Sequence, residues 1–381
     1  MESSFPTSTP EHAAGSVADP TESERLHRNL TPAIAEIENG RAFFRYIVAA
    51  VTAFAVALCA VFMFNAIVDP LSLIGWRIVP PAVEPDRSTK LNLIAKLKTN
   101  PQVVVLGSSR SRQAEPKFID KLTGLKTGFN AGVTGGDASD AWVMVRNIAA
   151  QFPHAKRTYI WFVDYKIASA GINPQLAEDP HSRPYLGNHS ASFSLADVGT
   201  YLGFQATQAS YRVLKACIEG HCHGNLLYRR DGSLKGAALK FLPENAPSLK
   251  KAVAEKLAAV KHLARRLPPF TNAHLAYFEK ALTYMNRHGA TPVIVLNPVY
   301  PSIYQLLQRR HSLREAEALA ELHKLQKRYR FVVVDGSDIR VWGGKARDFN
   351  NATHINRRNM RRLLRYVVAH SDGALSPRSV R

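Results

Sequence analysis

Apolar residues recur along this chain in two distinct patterns. Between residues 46 and 68 they form one run, Tyr-Ile-Val-Ala-Ala-Val-Thr-Ala-Phe-Ala-Val-Ala-Leu-Cys-Ala-Val-Phe-Met-Phe-Asn-Ala-Ile-Val, without a single charge. At about 1.5 Å per residue a helix of that length covers a hydrocarbon core of about 30 Å, so the run predicts a transmembrane helix. Beyond residue 100 short β-branched runs alternate with stretches of helical period. Residues 102–106 (Gln-Val-Val-Val-Leu), 158–163, 292–296 and 331–334 read as buried strands. Ala141, Trp142, Val145, Ile148, Ala149 and Phe152 share one helical face, as do Ala273, Leu275, Phe278, Leu282 and Met285. One helix is expected over about 303–327, and a last one carries Met360, Leu363, Leu364 and Val367. Strands alternating with helices predict a parallel sheet covered on both faces.

These patterns divide the chain. Residues 1–40 are rich in Ser, Thr, Pro, Glu and Ala and read as a flexible tail, followed by an anchor over 41–69. The apolar run is too long and too far from the start for a cleaved secretory signal, so the anchor is expected to stay. Arg41 and Arg45 precede it and Asp69 is the first charge after it, which favours a cytoplasmic N-terminus and a domain outside the inner membrane. Pro70, Pro80, Pro81 and Pro85 mark a stalk over 70–100. The α/β domain is expected over 101–370, with an insertion at about 171–269 in which one helix, near 249–263, stands out, and a C-terminal tail over 371–381.

The formal net charge of +20, from 50 Lys+Arg against 30 Asp+Glu, favours anionic partners. The basic residues form no nucleic-acid reading motif and the chain carries a membrane span, so lipid headgroups or an acidic polysaccharide fit better than nucleic acid. Three cysteines occur. Cys59 belongs to the apolar run. Cys217 and Cys222, in Ala-Cys-Ile-Glu-Gly-His-Cys-His, allow a short disulfide loop or, with His221 and His223, a metal site; one compact cluster favours the disulfide.

Three segments carry candidate chemistry. In Val-Val-Val-Leu-Gly-Ser-Ser-Arg-Ser-Arg (103–112) a strand ending in Gly-x-Ser places Ser109 at the carboxyl edge of the sheet, where open α/β folds bind ligands. A helix starting there would aim free N–H groups at an oxyanion. Phe-Asn-Ala-Gly-Val-Thr-Gly-Gly-Asp (129–137) offers glycines whose backbone can approach a substrate. Asp-Phe-Asn-Asn-Ala-Thr-His (348–354) puts His354 on a loop before the last helix, within reach of a serine at the sheet edge as general base and acid. Arg110 and Arg112 flank the serine as candidate substrate-binding cations. Arg357, Arg361 and Arg365 share one helical face, which reads first as a solvated surface.

In this order the three segments resemble the motifs of the SGNH (GDSL-like) hydrolase superfamily across about residues 101–370. The resemblance implies a flavodoxin-like three-layer α/β/α domain with Ser109 as nucleophile and His354 as base. It implies an oxyanion hole of the Ser109 N–H and the Gly135 N–H, with Gly132 as the alternative. Two positions depart from it. Asn351 stands where the superfamily has an aspartate three residues before the histidine, leaving Asp348 as a substitute carboxylate, and no asparagine follows the strand at 158–163. The span followed by Asn-Ala-Ile-Val-Asp-Pro (65–70) is similar to bacterial membrane-anchored members involved in alginate O-acetylation and D-alanine transfer. That similarity implies acyl-ester chemistry on an extracytoplasmic glycan, by hydrolysis or by transfer from a membrane acyltransferase, with no cofactor. The competing expectation, motivated by Asn351 and the absent asparagine, is an inactive glycan-binding or scaffold protein of an envelope polysaccharide system.

Overall fold

The computed structural model describes residues 20–70, 86–163, 181–186, 195–219, 228–235, 248–263, 272–309 and 314–380, with a few single positions between them. The chain forms two compact units, Met1–Met63 and Phe64–Arg381.

The helix α1 (Pro20–Val68) contains a stretch, Gly40–Val68, long and apolar enough to cross a membrane. Phe43, Phe44, Tyr46, Val51, Phe54 and Val56 are exposed along it, each large side chain leaving about 1.5–3 kcal/mol of burial unrealised in water. The helix starts at Pro20, so the flexible tail expected over 1–40 does not extend that far; residues 1–19 lie outside the described residues. Proline suits a first helical turn, and Glu, Leu, Arg and Ala in the following positions are strong helix formers.

The second unit is an α/β domain. Its strands are β1 (Val103–Gly107), β2 (Phe129–Asn130), β3 (Thr158–Val163), β4 (Val293–Leu296) and β5 (Val332–Asp335). All pair in parallel in the order β2-β1-β3-β4-β5. This is the flavodoxin-like order, with its topological switch between β1 and β3. Alternation along the strands feeds two cores. Val104, Leu106, Tyr159, Trp161, Ile294 and Leu296 join one, with α2 (Asp86–Ala95), α4 (Ala138–Gln151) and the helices Asn272–Arg287 and Arg314–Gln326. Val103, Val105, Ile160, Phe162, Val293 and Val295 face the other, with α3 (Pro116–Thr123) and the last helix, Arg357–Ala369. Two apolar faces on one sheet make the three layers.

Several expected boundaries move. The stalk expected over 70–100 contains α2, which buries Leu91 and Ile94 against the domain. Its polar residues are not solvated: Arg87 is buried in a bidentate pair with Asp140 at 2.7 and 2.9 Å, and Lys90 is buried completely. The single helix expected at 303–327 is two, Pro301–Arg309 and Arg314–Gln326. Residues 310–313, between them, lie outside the described residues. The expected C-terminal tail packs on the domain, burying Ala374 and Leu375 while Thr158 Oγ1 donates to the Ala374 carbonyl at 3.0 Å. Within the insertion, helices Leu195–Leu202 and Phe204–Ile218 join Leu249–Leu263. Their Tyr201 explains the Asn-Ala-Ile-Val-Asp-Pro stretch. The Asn65 amide donates to the Tyr201 carbonyl at 2.6 Å, and the Tyr201 hydroxyl donates to Asp69.

Candidate active site

β1 ends at Gly107, which has φ +133° and where a Cβ would lie 2.5 Å from the Phe162 carbonyl oxygen. Only glycine fits there, and the turn it permits lifts the next residues over the sheet edge. Ser108 caps a single 3-10 turn, Ser109–Ser111, its side chain accepting from the Arg110 N–H. The helix expected to begin at Ser109 is thus one short turn, with α3 starting only at Pro116, so the serine does not stand at the start of a helix with a dipole of useful length. The Asn130 amide pins the segment after this turn, donating to the carbonyls of Ser111 at 3.0 Å and Ala114 at 2.7 Å.

The loop before the last helix brings the histidine to this edge. Phe349 bridges Ile355 in antiparallel fashion, and the Asn350 N–H donates to the His354 carbonyl at 2.7 Å, closing the loop on itself. His354 Nε2 then lies 2.8 Å from Ser109 Oγ, across 245 residues of sequence. On the far side of the ring, Nδ1 lies 3.1 Å from Asn351 Oδ1 and 3.0 Å from Thr353 Oγ1. Burial, followed by the positive charges of Arg110 and Arg112, pushes the His354 pKa down to about 3. The imidazole is therefore neutral at neutral pH, and with its one proton on Nδ1 toward the Asn351 Oδ1 acceptor, Nε2 is left as the acceptor for the Ser109 hydroxyl.

Asp348, the substitute carboxylate expected from the sequence, is engaged away from His354. Its carboxylate accepts from Arg362 at 2.6 Å and from Asn356 at 3.4 Å. Burial opposes its ionisation, but those hydrogen bonds and the charges of Arg362 and Arg358 outweigh it and hold the carboxyl below its usual range.

The two oxyanion candidates separate. Gly132 is buried, its N–H already donates to Asn130 Oδ1 at 2.9 Å, and a Cβ there would meet Ser111 Oγ at 2.1 Å. It is a close-packing glycine, not a donor. Gly135 has φ +61°, is exposed, and would carry a Cβ into open space. Its N–H and that of Ser109 make no hydrogen bond among the described residues.

Of the two arginines, Arg110 donates to the Pro298 carbonyl beyond β4. Arg112 is not a surface cation: it is buried, pairs with Asp86 at 2.7 Å and donates to the Tyr228 hydroxyl at 3.3 Å. Arg357 and Arg361 both pair with Glu115, which accounts for part of that basic helix face.

Nothing in the local sequence marks Asp86, Thr134 and Tyr228 as site residues. Asp86 Oδ2 accepts the Thr134 N–H at 2.8 Å as well as its hydroxyl, and the Tyr228 hydroxyl also donates to Asp86. Burial works against the carboxylate, but the Arg112 charge and these donors hold its pKa below the usual value. Lys90 lies under the same cluster, donating to the carbonyls of Asn130 and Gly232 and standing 4.1 Å from the centre of the Tyr228 ring.

Among the described residues no group of three or more His, Cys, Asp and Glu is placed to hold a metal ion. Cys217 is disulfide-bonded, which removes it from the metal-ligand reading; Cys59 is a free thiol, and Cys222 lies outside the described residues. What the edge of β1 brings together is the Ser109 hydroxyl and a neutral imidazole within hydrogen-bond distance of it, a pairing suited to nucleophilic chemistry. No protein-family model matches the chain, and no curated protein matches it.

Proposed function

We propose that the chain is a membrane-anchored serine esterase or O-acyltransferase of the SGNH type, acting on an extracytoplasmic glycan. The single observation that carries this reading is the 2.8 Å contact between Ser109 Oγ and His354 Nε2 at the carboxyl edge of a flavodoxin-like sheet. Ser109 Oγ attacks the acyl carbonyl while His354 Nε2 takes its proton. The oxyanion that forms is met by the N–H groups of Ser109 and Gly135. Collapse breaks the ester bond, His354 returns the proton to the leaving alcohol, and the acyl group stays on Ser109. Water or a sugar hydroxyl then reverses these steps, giving hydrolysis or transfer.

The Lys/Arg bias before Gly40–Val68 supports a cytoplasmic N-terminus in the inner membrane. The disulfide at Cys217 supports an oxidising compartment for the domain, the periplasm or exterior. In the transfer variant a membrane acyltransferase supplies the acyl group.

A second reading, an inactive glycan-binding scaffold, is favoured by Asn351, which offers the imidazolium no charge. Release of acetate from an acetylated glycan separates the two. Purified full-length protein is expected to release it, or to pass the acetyl group to an added glycan, and Ser109→Ala is expected to do neither. Equal rates for wild type and Ser109→Ala would leave the scaffold.

A further inference from the structure

We propose that Asp86 is a positioning residue for the acyl-transfer site, its carboxylate tying the loop that presents the Gly135 N–H to the segment that carries Ser109. The proposal rests on the acyl-transfer reading above and names a part of that machinery which neither β1 nor the histidine loop contains.

One oxygen makes the tie. Asp86 Oδ2 accepts the Thr134 N–H at 2.8 Å, the Thr134 hydroxyl, and Arg112 Nη1 at 2.7 Å. Arg112 is bound in turn to the nucleophile, since its backbone N–H donates to the Ser109 carbonyl at 3.3 Å. The loop has backbone anchors on both sides of its tip, Val133 N–H to the Gly107 carbonyl and Gly136 N–H to the Val133 carbonyl, each at 3.1 Å. Between them, Thr134 and Gly135 are exposed, and Asp86 is the side chain that holds the tip. It takes the Thr134 N–H, while the next N–H, that of the exposed Gly135 in its left-handed conformation, makes no hydrogen bond among the described residues.

A carboxylate suits this place because it accepts several donors at once while neutralising a buried guanidinium. Stability alone does not require the arrangement. The other buried pair of α2, Arg87 with Asp140, fastens the helix to α4 without touching the Thr134 tip or Ser109. Oxyanion donors act through preorganisation, so freeing the tip is expected to slow the chemical step more than it weakens substrate binding.

The test combines hydrogen exchange of the loop-tip amides, those of Thr134 and Gly135, with acetyl-ester kinetics on the full chain. In Asp86→Asn the exchange of the loop tip is expected to rise at least tenfold, with kcat falling at least tenfold and KM staying within twofold. Thr134→Ala, which keeps the Arg112 pair, is expected to shift both in the same direction by less, and it decides the matter if Asp86→Asn does not fold. Arg87→Gln is expected to lower the melting temperature while leaving tip exchange and the KM-against-kcat balance as in wild type. Unchanged tip exchange in folded Asp86→Asn, or equal loop loosening in Arg87→Gln, would overturn the proposal. A wild type with no Ser109-dependent turnover would sink the acyl-transfer reading and the catalytic half of the proposal, while exchange alone would still decide whether Asp86 holds the loop.

Discussion

Asn351 Oδ1 lies 3.1 Å from His354 Nδ1 and also accepts the backbone N–H groups of Thr353 at 2.8 Å and His354 at 2.9 Å. The amide thus orients the ring and favours the tautomer that leaves Nε2 free for Ser109, but brings no charge to the imidazolium formed during attack. In the serine-protease triad the loss of that charge and its tautomer control lowers kcat by about 10⁴. Asn351→Asp is therefore expected to raise kcat on a generic acetyl ester by more than about tenfold. A rate at or below wild type would show that no carboxylate is wanting there.

The pH response derives from the lowered pKa of His354. Burial first, then Arg110 and Arg112, hold it at about 3 against an ordinary 6.5. The unfolded chain consequently binds more protons than the folded one between those values. This group's share of stability is complete above about pH 6.5 and is lost as pH falls toward 3. Labelling of Ser109 by a serine-directed reagent is expected to hold its rate from about pH 7.5 down to about pH 5, whereas an unperturbed histidine would halve it near about 6.5. Arg110→Ala is expected to move the acid limb upward.

Asp348→Ala is expected to affect stability and not chemistry. It removes the acceptor of Arg362 at 2.6 Å and of Asn356, at a place where the carboxylate is buried. Losing a hydrogen bond to a charged group costs about 1.5–3 kcal/mol, readable as a lower denaturant midpoint. Retained labelling of Ser109 in the folded variant would agree; abolished labelling would put Asp348 into the site.

The two loop glycines are expected to respond differently to alanine. Gly132→Ala puts a Cβ 2.1 Å from Ser111 Oγ, so it must displace the segment behind Ser109 and destabilise the domain. Gly135→Ala meets no neighbour, and its φ of +61° exacts only the left-handed penalty of about 1–2 kcal/mol. A larger loss of melting temperature for Gly135→Ala than for Gly132→Ala would contradict this assignment.

Four of the five strands are legible in the sequence because they are short, rich in β-branched residues and largely buried, while β2, Phe129–Asn130, is too short to show any period. Ser109 and His354 are legible because each follows a strand or precedes a helix in a recognisable local context. α2 is not, because burial of Arg87 and Lys90 depends on partners, Asp140 and the Asn130 carbonyl, far away in sequence. The same holds for Asp86, whose donors lie 26 and 48 residues along the chain. Arg112 misleads for the converse reason: a cation beside a candidate nucleophile reads as substrate-binding until its buried counter-ion is seen.

Mapping of fluorophosphonate adducts on the full-length protein by mass spectrometry decides whether Ser109 is a nucleophile activated by His354. The expected result is one adduct, on Ser109, absent in Ser109→Ala and formed at least a hundredfold more slowly in His354→Ala. Adduct formation elsewhere that persists in Ser109→Ala, or none at all in folded wild-type protein, would contradict it.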